Sequence, residues 1–161
     1  VSSPNTPNLR ALQEKEPLKQ LLSSLQALNN LKHIQKPILL KIAPDLDAQQ
    51  IIEIADLLKQ HRFDGVIATN TTLDREAVKG MLHSEEAGGL SGAPVRQKST
   101  QVIQQLSQQL AGELPIIGVG GILSGADAAE KISAGASLVQ LYSGLIYRGP
   151  QLIHEVCRSL G

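Results

Sequence analysis

The sequence lacks the residues that mark disulfide-bonded, cysteine-liganded and membrane-spanning proteins. Among its 161 residues there is one cysteine, Cys157. A single cysteine excludes a disulfide within the chain and any cysteine-based metal cluster, and it is consistent with a reducing compartment. No apolar run approaches the roughly 20 residues needed to cross a bilayer, and no signal peptide opens the sequence. We therefore expect this segment to be soluble.

Neither sign of charge is in excess. Fifteen Lys and Arg residues balance fifteen Asp and Glu residues, and no basic run stands out. Composition therefore gives no electrostatic reason to expect nucleic acid or an anionic membrane surface as a partner. With 42% hydrophobic residues the chain has the composition of a globular domain. A small molecule is the expected ligand.

Short aliphatic segments alternate along the chain with helical patterns. The predicted strands are residues 38–42, 65–70, 116–119 and 138–143. Asp47 followed by Gln50 predicts a capping box at the start of one helix. The other predicted helices are leucine-rich or aliphatic stretches at 18–28, 102–110, 126–134 and 152–160. Strands that alternate with helices predict a parallel sheet with right-handed crossovers.

Polar residues or glycines follow every predicted strand. They are Lys41, Thr69-Asn70, Gly120-Gly121 and Tyr142-Ser143. A TIM barrel builds its active site from the loops after all its strands, whereas an open doubly wound sheet concentrates its ligands at one switch point. We therefore predict an α/β fold that is the C-terminal half of a TIM (β/α)8 barrel.

A whole barrel takes about 250 residues, so four strands make about half of one. Residues 1–161 are expected to form a single partial domain, from the end of strand 4 through strand 8 and the final helix. The N-terminal half of the barrel is expected to be absent. Because half a barrel has two open sheet edges, we do not expect the chain alone to be a well-behaved monomer.

Two glycine-containing loops predict an anion site. GVGG at 118–121 and YSG at 142–144 follow successive strands. Glycines let backbone N–H groups approach an anion, and the pair resembles the phosphate grip after strands seven and eight of many barrels. The alternative is that Gly120 and Gly121 form only a tight turn. The second loop at the matching place favours phosphate binding.

Lys41 is the next candidate residue. Strict alternation in the first strand places Leu39 and Lys41 on the face opposite Leu40 and Ile42. If the second pair meets the helices, Lys41 points into the barrel and requires an anionic partner, such as a cofactor or a substrate carboxylate. The alternative is a strand-end lysine that reaches solvent.

Polar side chains and a long loop follow the second strand. Residues 69–72, TNTT, can hydrogen-bond to a ligand or cap the turn. The excursion between Thr72 and Ser99 contains GGLSGAP at 88–94, which favours close backbone approach to a cofactor. Arg10 can pair with an anion or lie at the surface.

The histidines match no metal-ligand spacing, and we predict no metal. His33 and His154 fall in helical stretches, His61 lies near a helix end and His83 lies in the excursion. A solvated surface position is expected for each.

Six motifs in this order resemble the dihydroorotate dehydrogenase family over essentially the whole chain. They are SSPNTP at 2–7, KIAPD at 41–45, DGVIATNTT at 64–72, GLSG at 89–92, PIIGVGG at 115–121 and GAS at 135–137. Class 1 members carry a cysteine base in the first motif. The serine at this position, Ser3, implies class 2.

The resemblance implies FMN-dependent oxidation of (S)-dihydroorotate to orotate, with quinone as electron acceptor, in de novo pyrimidine (UMP) biosynthesis. Ser3 would be the catalytic base that takes a proton from C5 while hydride leaves C6 for FMN. The remaining implied contacts are to orotate from Asn5, Asn70 and Thr71, to the flavin from Lys41 and Thr69, and to its phosphate from Gly92, Gly121, Tyr142 and Ser143.

Class 2 members also have an N-terminal helical extension that docks on the membrane and admits quinone, and that extension is not in this sequence. The implied location is peripheral, at the cytoplasmic face of the bacterial inner membrane. One departure is Asn8, where the family commonly has glycine. Because asparagine tolerates positive φ, we expect the turn to survive.

Two alternatives remain open from the residues. One is another phosphate-binding barrel enzyme, a lyase or isomerase in which Lys41 forms a Schiff base. The other is a non-catalytic half-barrel that binds a ligand or its missing N-terminal half without chemistry.

Overall fold

The computed structural model describes residues 1–31 and 36–161. Its sheet has four strands, β1 (Leu39–Ile42), β2 (Gly65–Ala68), β3 (Ile116–Val119) and β4 (Leu138–Gln140). They pair in chain order, and each pair is parallel. Because the order does not reverse, this sheet has no switch point of the doubly wound kind, and its order is that of a barrel.

Helices connect the strands and follow the last one. The α-helices of the described residues are α1 (Lys15–Leu31), α2 (Ala48–Gln60), α3 (Arg96–Leu110), α4 (Gly125–Ser133), α5 (Ser143–Arg148) and α6 (Gln151–Leu160). Short 3-10 turns lie at Leu9–Gln13, Glu76–Val78 and Ala93–Val95. The α/β class predicted from the sequence is confirmed. None of the helices described has both the length and the apolar character that a membrane span requires.

The capping box at the start of α2 is confirmed. The Asp47 carboxylate accepts from the Gln50 N–H at 2.8 Å, and the Gln50 side chain accepts from the Asp47 N–H at 3.0 Å. His61 follows this helix as its C-terminal cap. The prediction that His33 is helical falls outside the described residues.

Several predicted element boundaries were wrong. The fourth strand was expected to reach Ser143, but β4 ends at Gln140 and Ser143 begins α5. The second strand ends at Ala68 rather than Asn70, and the first begins at Leu39 rather than Ile38. In each case the residues next to the strand continued its sequence pattern, although they lie outside the residues that form the hydrogen-bonded ladder. The peptide bond between Ala68 and Thr69 is cis.

The main core lies between one face of the sheet and helices α1, α2 and α3. Leu40 and Ile42 are buried in it, whereas Leu39 and Lys41 are half-buried on the other face of β1. The alternation predicted for this strand is therefore confirmed. A smaller core joins α4 to α6 beneath the loop after β3, and it consists of Ile122, Ala128, Leu152 and Val156.

The turn at Asn8 survives, as expected. Asn8 has φ 60° and ψ 3°, which is the left-handed region. Its carbonyl accepts from the Ala11 N–H at 3.1 Å and begins the Leu9–Gln13 turn. Asparagine visits this region at lower cost than most residues, so the turn forms without glycine at this position.

Candidate active site

A cavity of about 520 Å³ opens at the carboxyl ends of the strands. Its volume is within the range of small-molecule sites. Lys41 of β1 and residues from the loops after β2, β3 and β4 line it, together with part of the excursion between β2 and α3. The predicted site residues that line it are Lys41, Thr69, Asn70, Thr71, Gly92, Gly121, Tyr142 and Ser143. The structure thus brings together residues that the sequence separates by up to about a hundred positions.

The excursion is closed at its base. Thr72 and Leu90 form an antiparallel bridge, with N–H to carbonyl distances of 3.0 and 2.8 Å. Arg75 donates to the carbonyls of Thr72 and Gly88 and fastens the loop from inside. Residues 91 and 92 are therefore held at the cavity. The excursion ends earlier than expected, because α3 begins at Arg96 and not at Ser99.

The glycine-containing loops contact one another. A Cβ added at Gly144 would lie 2.1 Å from the Ile122 carbonyl oxygen, so the loops after β3 and β4 meet where no side chain fits. The Ser143 hydroxyl donates to the Ser91 hydroxyl at 2.8 Å, which joins the excursion to the same place. Gly121 has φ 70°. Three backbone segments therefore converge on one rim of the cavity.

Asp127 fixes the loop after β3 from behind. Its carboxylate accepts from the Leu123 N–H at 3.0 Å and from the Ser124 hydroxyl at 2.8 Å, and it forms an ion pair with Arg96. Burial acts to raise the pKa of Asp127, but these hydrogen bonds together hold it below its ordinary value. The carboxylate is therefore ionised at neutral pH and anchors residues 121–124 to the start of α3.

Lys41 lies on the face of β1 opposite the core and lines the cavity. None of the described carboxylates forms an ion pair with it. A half-buried ammonium at a cavity wall favours an anionic or electron-rich ligand, because its charge is otherwise only partly solvated.

Ser3 and Asn5 do not line the cavity but are held beside Asn70. The neighbouring Ser2 is buried, and its hydroxyl accepts from Asn70 Nδ2 at 3.1 Å. Ser3 is half-buried, and its Oγ accepts from the Asn5 N–H at 3.3 Å. A Cβ on Gly89 would lie 2.9 Å from Pro4 Cγ, so the excursion packs over this segment. Residues 2–5 thus lie between the β2 loop and the excursion.

Sequence reasoning did not assign two residues next to this segment. The sequence gives no signal that distinguishes Ser2, although Ser2 makes the contact to Asn70. Arg10 was left open between an anion partner and a surface residue, and the structure pairs it with Asp45 at 2.9 Å. Asp45 belongs to a motif that carries the family resemblance, but no spacing in the sequence links it to residue 10.

Within residues 1–31 and 36–161, no group of three His, Cys, Asp or Glu side chains is arranged to hold a metal. The absence of a metal in the working protein stays a prediction.

The fold and the cavity together define part of an α/β-barrel protein whose candidate ligand site lies at the carboxyl ends of its strands. The family model described as dihydroorotate dehydrogenase matches residues 1–161. The chain belongs to the dihydroorotate dehydrogenase family.

Curated relatives and solved structures agree with this assignment. The dihydroorotate dehydrogenase (quinone) of Methylobacillus flagellatus is 64% identical, over 100% of this chain and 49% of the relative. That of Dechloromonas aromatica is 63% identical, over 99% of this chain and 47% of the relative. The crystal structure of DHODH from Eimeria tenella in complex with ferulenol is 35% identical with a TM-score of 0.90, over 99% of this chain and 47% of that one. The chain spans about half the length of the curated relatives it matches.

Proposed function

We propose that this chain, together with the half of the family's length that it does not cover, is a class 2 dihydroorotate dehydrogenase. It oxidises (S)-dihydroorotate to orotate with FMN as cofactor and quinone as electron acceptor, in de novo pyrimidine biosynthesis. The observation that carries the proposal is that one cavity is lined by the candidate cofactor residues and flanked by the segment that contains Ser3. The names of the relatives support quinone as the acceptor.

The cavity fits a ring system that carries a phosphate. Gly92 and Gly121 have positive φ and present backbone without a side chain, and the Ser143 hydroxyl lies at the same rim. Val119 and Ile122 provide apolar wall for a flat ring. These features support Gly92, Gly121, Tyr142 and Ser143 as phosphate ligands.

Lys41 and Thr69 are assigned to the ring itself. Both line the cavity, and Lys41 offers a cation from the inner face of β1. When bound, FMN supplies the acceptor for the hydride that leaves C6 of dihydroorotate. The ammonium of Lys41 would stabilise negative charge on whatever the cavity holds.

Ser3 is assigned as the base that removes the C5 proton. A serine hydroxyl is a weak base at its ordinary pKa, so the proton has to pass on to a neighbour or to water. Asn5, Asn70 and Thr71 are assigned to the substrate. The Asn70 side-chain amide donates one N–H to Ser2 Oγ and has a second N–H for the ligand.

The family match over residues 1–161 favours a dehydrogenase over the alternative enzyme in which Lys41 forms a Schiff base. Borohydride trapping in the presence of substrate would detect one. Contact with quinone and with the cytoplasmic face of the inner membrane is assigned to the part of the longer relatives that this chain does not cover.

An anaerobic absorbance titration of the full-length holoenzyme with dihydroorotate tests the proposal. We expect rapid bleaching of bound flavin in the wild type and slowing of at least about 10²-fold in Ser3→Ala, as for loss of a catalytic base. Ser24→Ala is the matched control, since Ser24 is exposed on α1 and, among the described residues, its hydroxyl bonds only to the Gln20 carbonyl. A wild-type protein without flavin, or one whose flavin dihydroorotate leaves oxidised, would refute the proposal.

A further inference from the structure

Arg10 joins three separate segments of the chain near the candidate active site. Its Nε donates to the Ser2 carbonyl at 3.1 Å, its Nη2 to the Thr71 carbonyl at 2.7 Å and its Nη1 to Asp45 Oδ2 at 2.9 Å. The side chain is 19% exposed. Because all three guanidinium nitrogens are engaged in one plane, the group has a single orientation.

The two carbonyls are significant because of the residues they adjoin. The Ser2 carbonyl belongs to the peptide bond that ends at the Ser3 nitrogen, and Thr71 follows Asn70 directly. One rigid, planar group that holds both oxygens fixes the separation of these backbones. The hydrogen bond from Asn70 to Ser2 Oγ, at 3.1 Å, joins the same two segments a second time.

The backbone of Arg10 is itself tied to the loop after β1. Gln13 is buried; its Nε2 donates to the Arg10 carbonyl at 3.4 Å, and its Oε1 accepts from the Ala43 N–H at 2.8 Å. Position 10 therefore cannot move independently of the end of β1.

Asp45 orients the guanidinium from the same loop. Its carboxylate also accepts from the Thr72 hydroxyl, from the Leu73 N–H at 3.0 Å and from Lys98 Nζ at 3.2 Å. Burial acts to raise the pKa of Asp45, but these donors and Arg10 hold it below its ordinary value. The carboxylate thus remains charged at neutral pH and keeps the guanidinium in place.

We propose that Arg10 is a positioning residue for proton abstraction: it sets the separation between Ser3 and the Asn70–Thr71 loop, and Asp45 orients it. The inference rests on the proposed function, because Ser3 and Asn70 receive their roles there. Arg10 is not among the residues that line the cavity, so it is assigned no contact with substrate or cofactor. Its effect is on the reductive step alone.

Arg10→Lys tests this inference because it keeps the charge beside Asp45 and loses the planar fork. A single ammonium cannot hold both carbonyls in the same geometry. Misplacement of a catalytic group by about 1 Å costs up to about 10²-fold in rate. We expect anaerobic reduction of the bound flavin by dihydroorotate to slow by about 10- to 100-fold in the full-length Arg10→Lys holoenzyme. Flavin content, melting temperature and the rate of reoxidation by quinone should stay at the wild-type values.

Lys98→Met is the matched control. The substitution removes another cation from Asp45. Lys98 contacts neither the Ser2 nor the Thr71 carbonyl. If charge pairing with Asp45 were the whole role of Arg10, Arg10→Lys would keep its rate because it keeps the charge, whereas Lys98→Met would lose activity because it removes one. We expect Lys98→Met to stay within about threefold of wild type, as for the loss of two partly exposed ion pairs, those to Asp45 and Asp74.

Each outcome separates this inference from the proposed function. If the wild type reduces its flavin rapidly and Arg10→Lys does so at the same rate, the positioning role is wrong and the proposed function stands. If Arg10→Lys loses flavin or melting temperature in step with its rate, Arg10 has only a general structural role and the inference is also wrong. If the wild-type flavin stays oxidised, the proposed function itself fails and this inference fails with it.

Discussion

Lys131 is the largest side chain that the described residues bury completely, with 0% exposure. Its ammonium donates to the Arg96 carbonyl at 2.7 Å and to Thr100 Oγ1 at 2.7 Å, both in the first turns of α3. It therefore joins α4 to the helix that begins beside the cavity. A Cβ on Gly118 would lie 3.1 Å from Lys131 Cβ, so the glycine in β3 leaves room for it. Burial lowers the pKa of Lys131 to about 8.

This lysine predicts a pH dependence of stability. Between its folded-state pKa of about 8 and the ordinary value of 10.5, the unfolded chain binds more protons than the folded one. The free energy of unfolding therefore rises with pH through this window, by roughly 3 kcal/mol for the full shift. We expect urea unfolding of the full-length protein to show this gain relative to Lys131→Met, in which the titrating group is gone. Parallel pH profiles of the two proteins would contradict the expectation.

For single residues, the sequence predicts which way a side chain points better than it predicts the side chain's hydrogen-bond partners. The inward position of Lys41 follows from alternation along one strand, and the turn at Asn8 follows from the tolerance of asparagine for positive φ. The contacts of Arg10 and Lys131 do not follow, because their acceptors lie up to 61 positions away. Local patterns report which face a residue occupies, and the partner on that face depends on the whole fold.

The elements that were predicted correctly are those with strong periodicity. The strands are short aliphatic runs, and α2 has both a capping box and an apolar face. The helix α5 (Ser143–Arg148) was not predicted, because six residues cover fewer than two turns and show no 3.6-residue period. The closure of the excursion by Thr72 and Leu90 was also not predicted, since pairing between distant residues leaves no local signal.

The contact between the loops after β3 and β4 predicts that residue 144 has to be glycine. A methyl group there would lie 2.1 Å from the Ile122 carbonyl oxygen, and backbone would have to move. Because these loops form the candidate phosphate rim, we expect Gly144→Ala in the full-length protein to weaken flavin binding by at least about tenfold, the equivalent of 1.4 kcal/mol. The ratio of flavin to protein after dilution and gel filtration measures the loss.

Gly149→Ala is the control, at the other end of α5. Gly149 has φ 66°, but a Cβ there would meet no atom within 4 Å. Gly149 also has ψ −169°, a conformation that is essentially restricted to glycine, so the change costs backbone strain of about 1–3 kcal/mol without moving the rim. It should lower the melting temperature and leave flavin bound. A Gly144→Ala protein with full flavin content would show that the loops can separate without cost to the site.

At the scale of the whole molecule, the four-stranded sheet is open on both sides. In the described residues β1 pairs only with β2, and β4 only with β3. Large apolar side chains near β4 are exposed, with 62% exposure for Leu138, 69% for Ile146 and 82% for Tyr147. The family members that the chain matches are about twice as long. Open sheet edges and exposed large apolar side chains both promote association.

We therefore expect the 161-residue chain by itself to associate and to bind no flavin. Gel filtration with light scattering should show species larger than the 17.2 kDa monomer.

Leu138→Lys places a charge on the exposed edge strand and should shift the distribution toward monomer, since edge lysines oppose strand pairing. His154→Lys is the control: it adds the same side chain on the exposed side of α6, away from any edge, and should leave the association unchanged. Co-expression with the complementary half of a full-length relative should yield a one-to-one complex that retains flavin. A monodisperse monomer that binds flavin on its own would contradict this expectation. It would show that the two open edges do not cause association, and that the cavity is complete without the other half of the barrel.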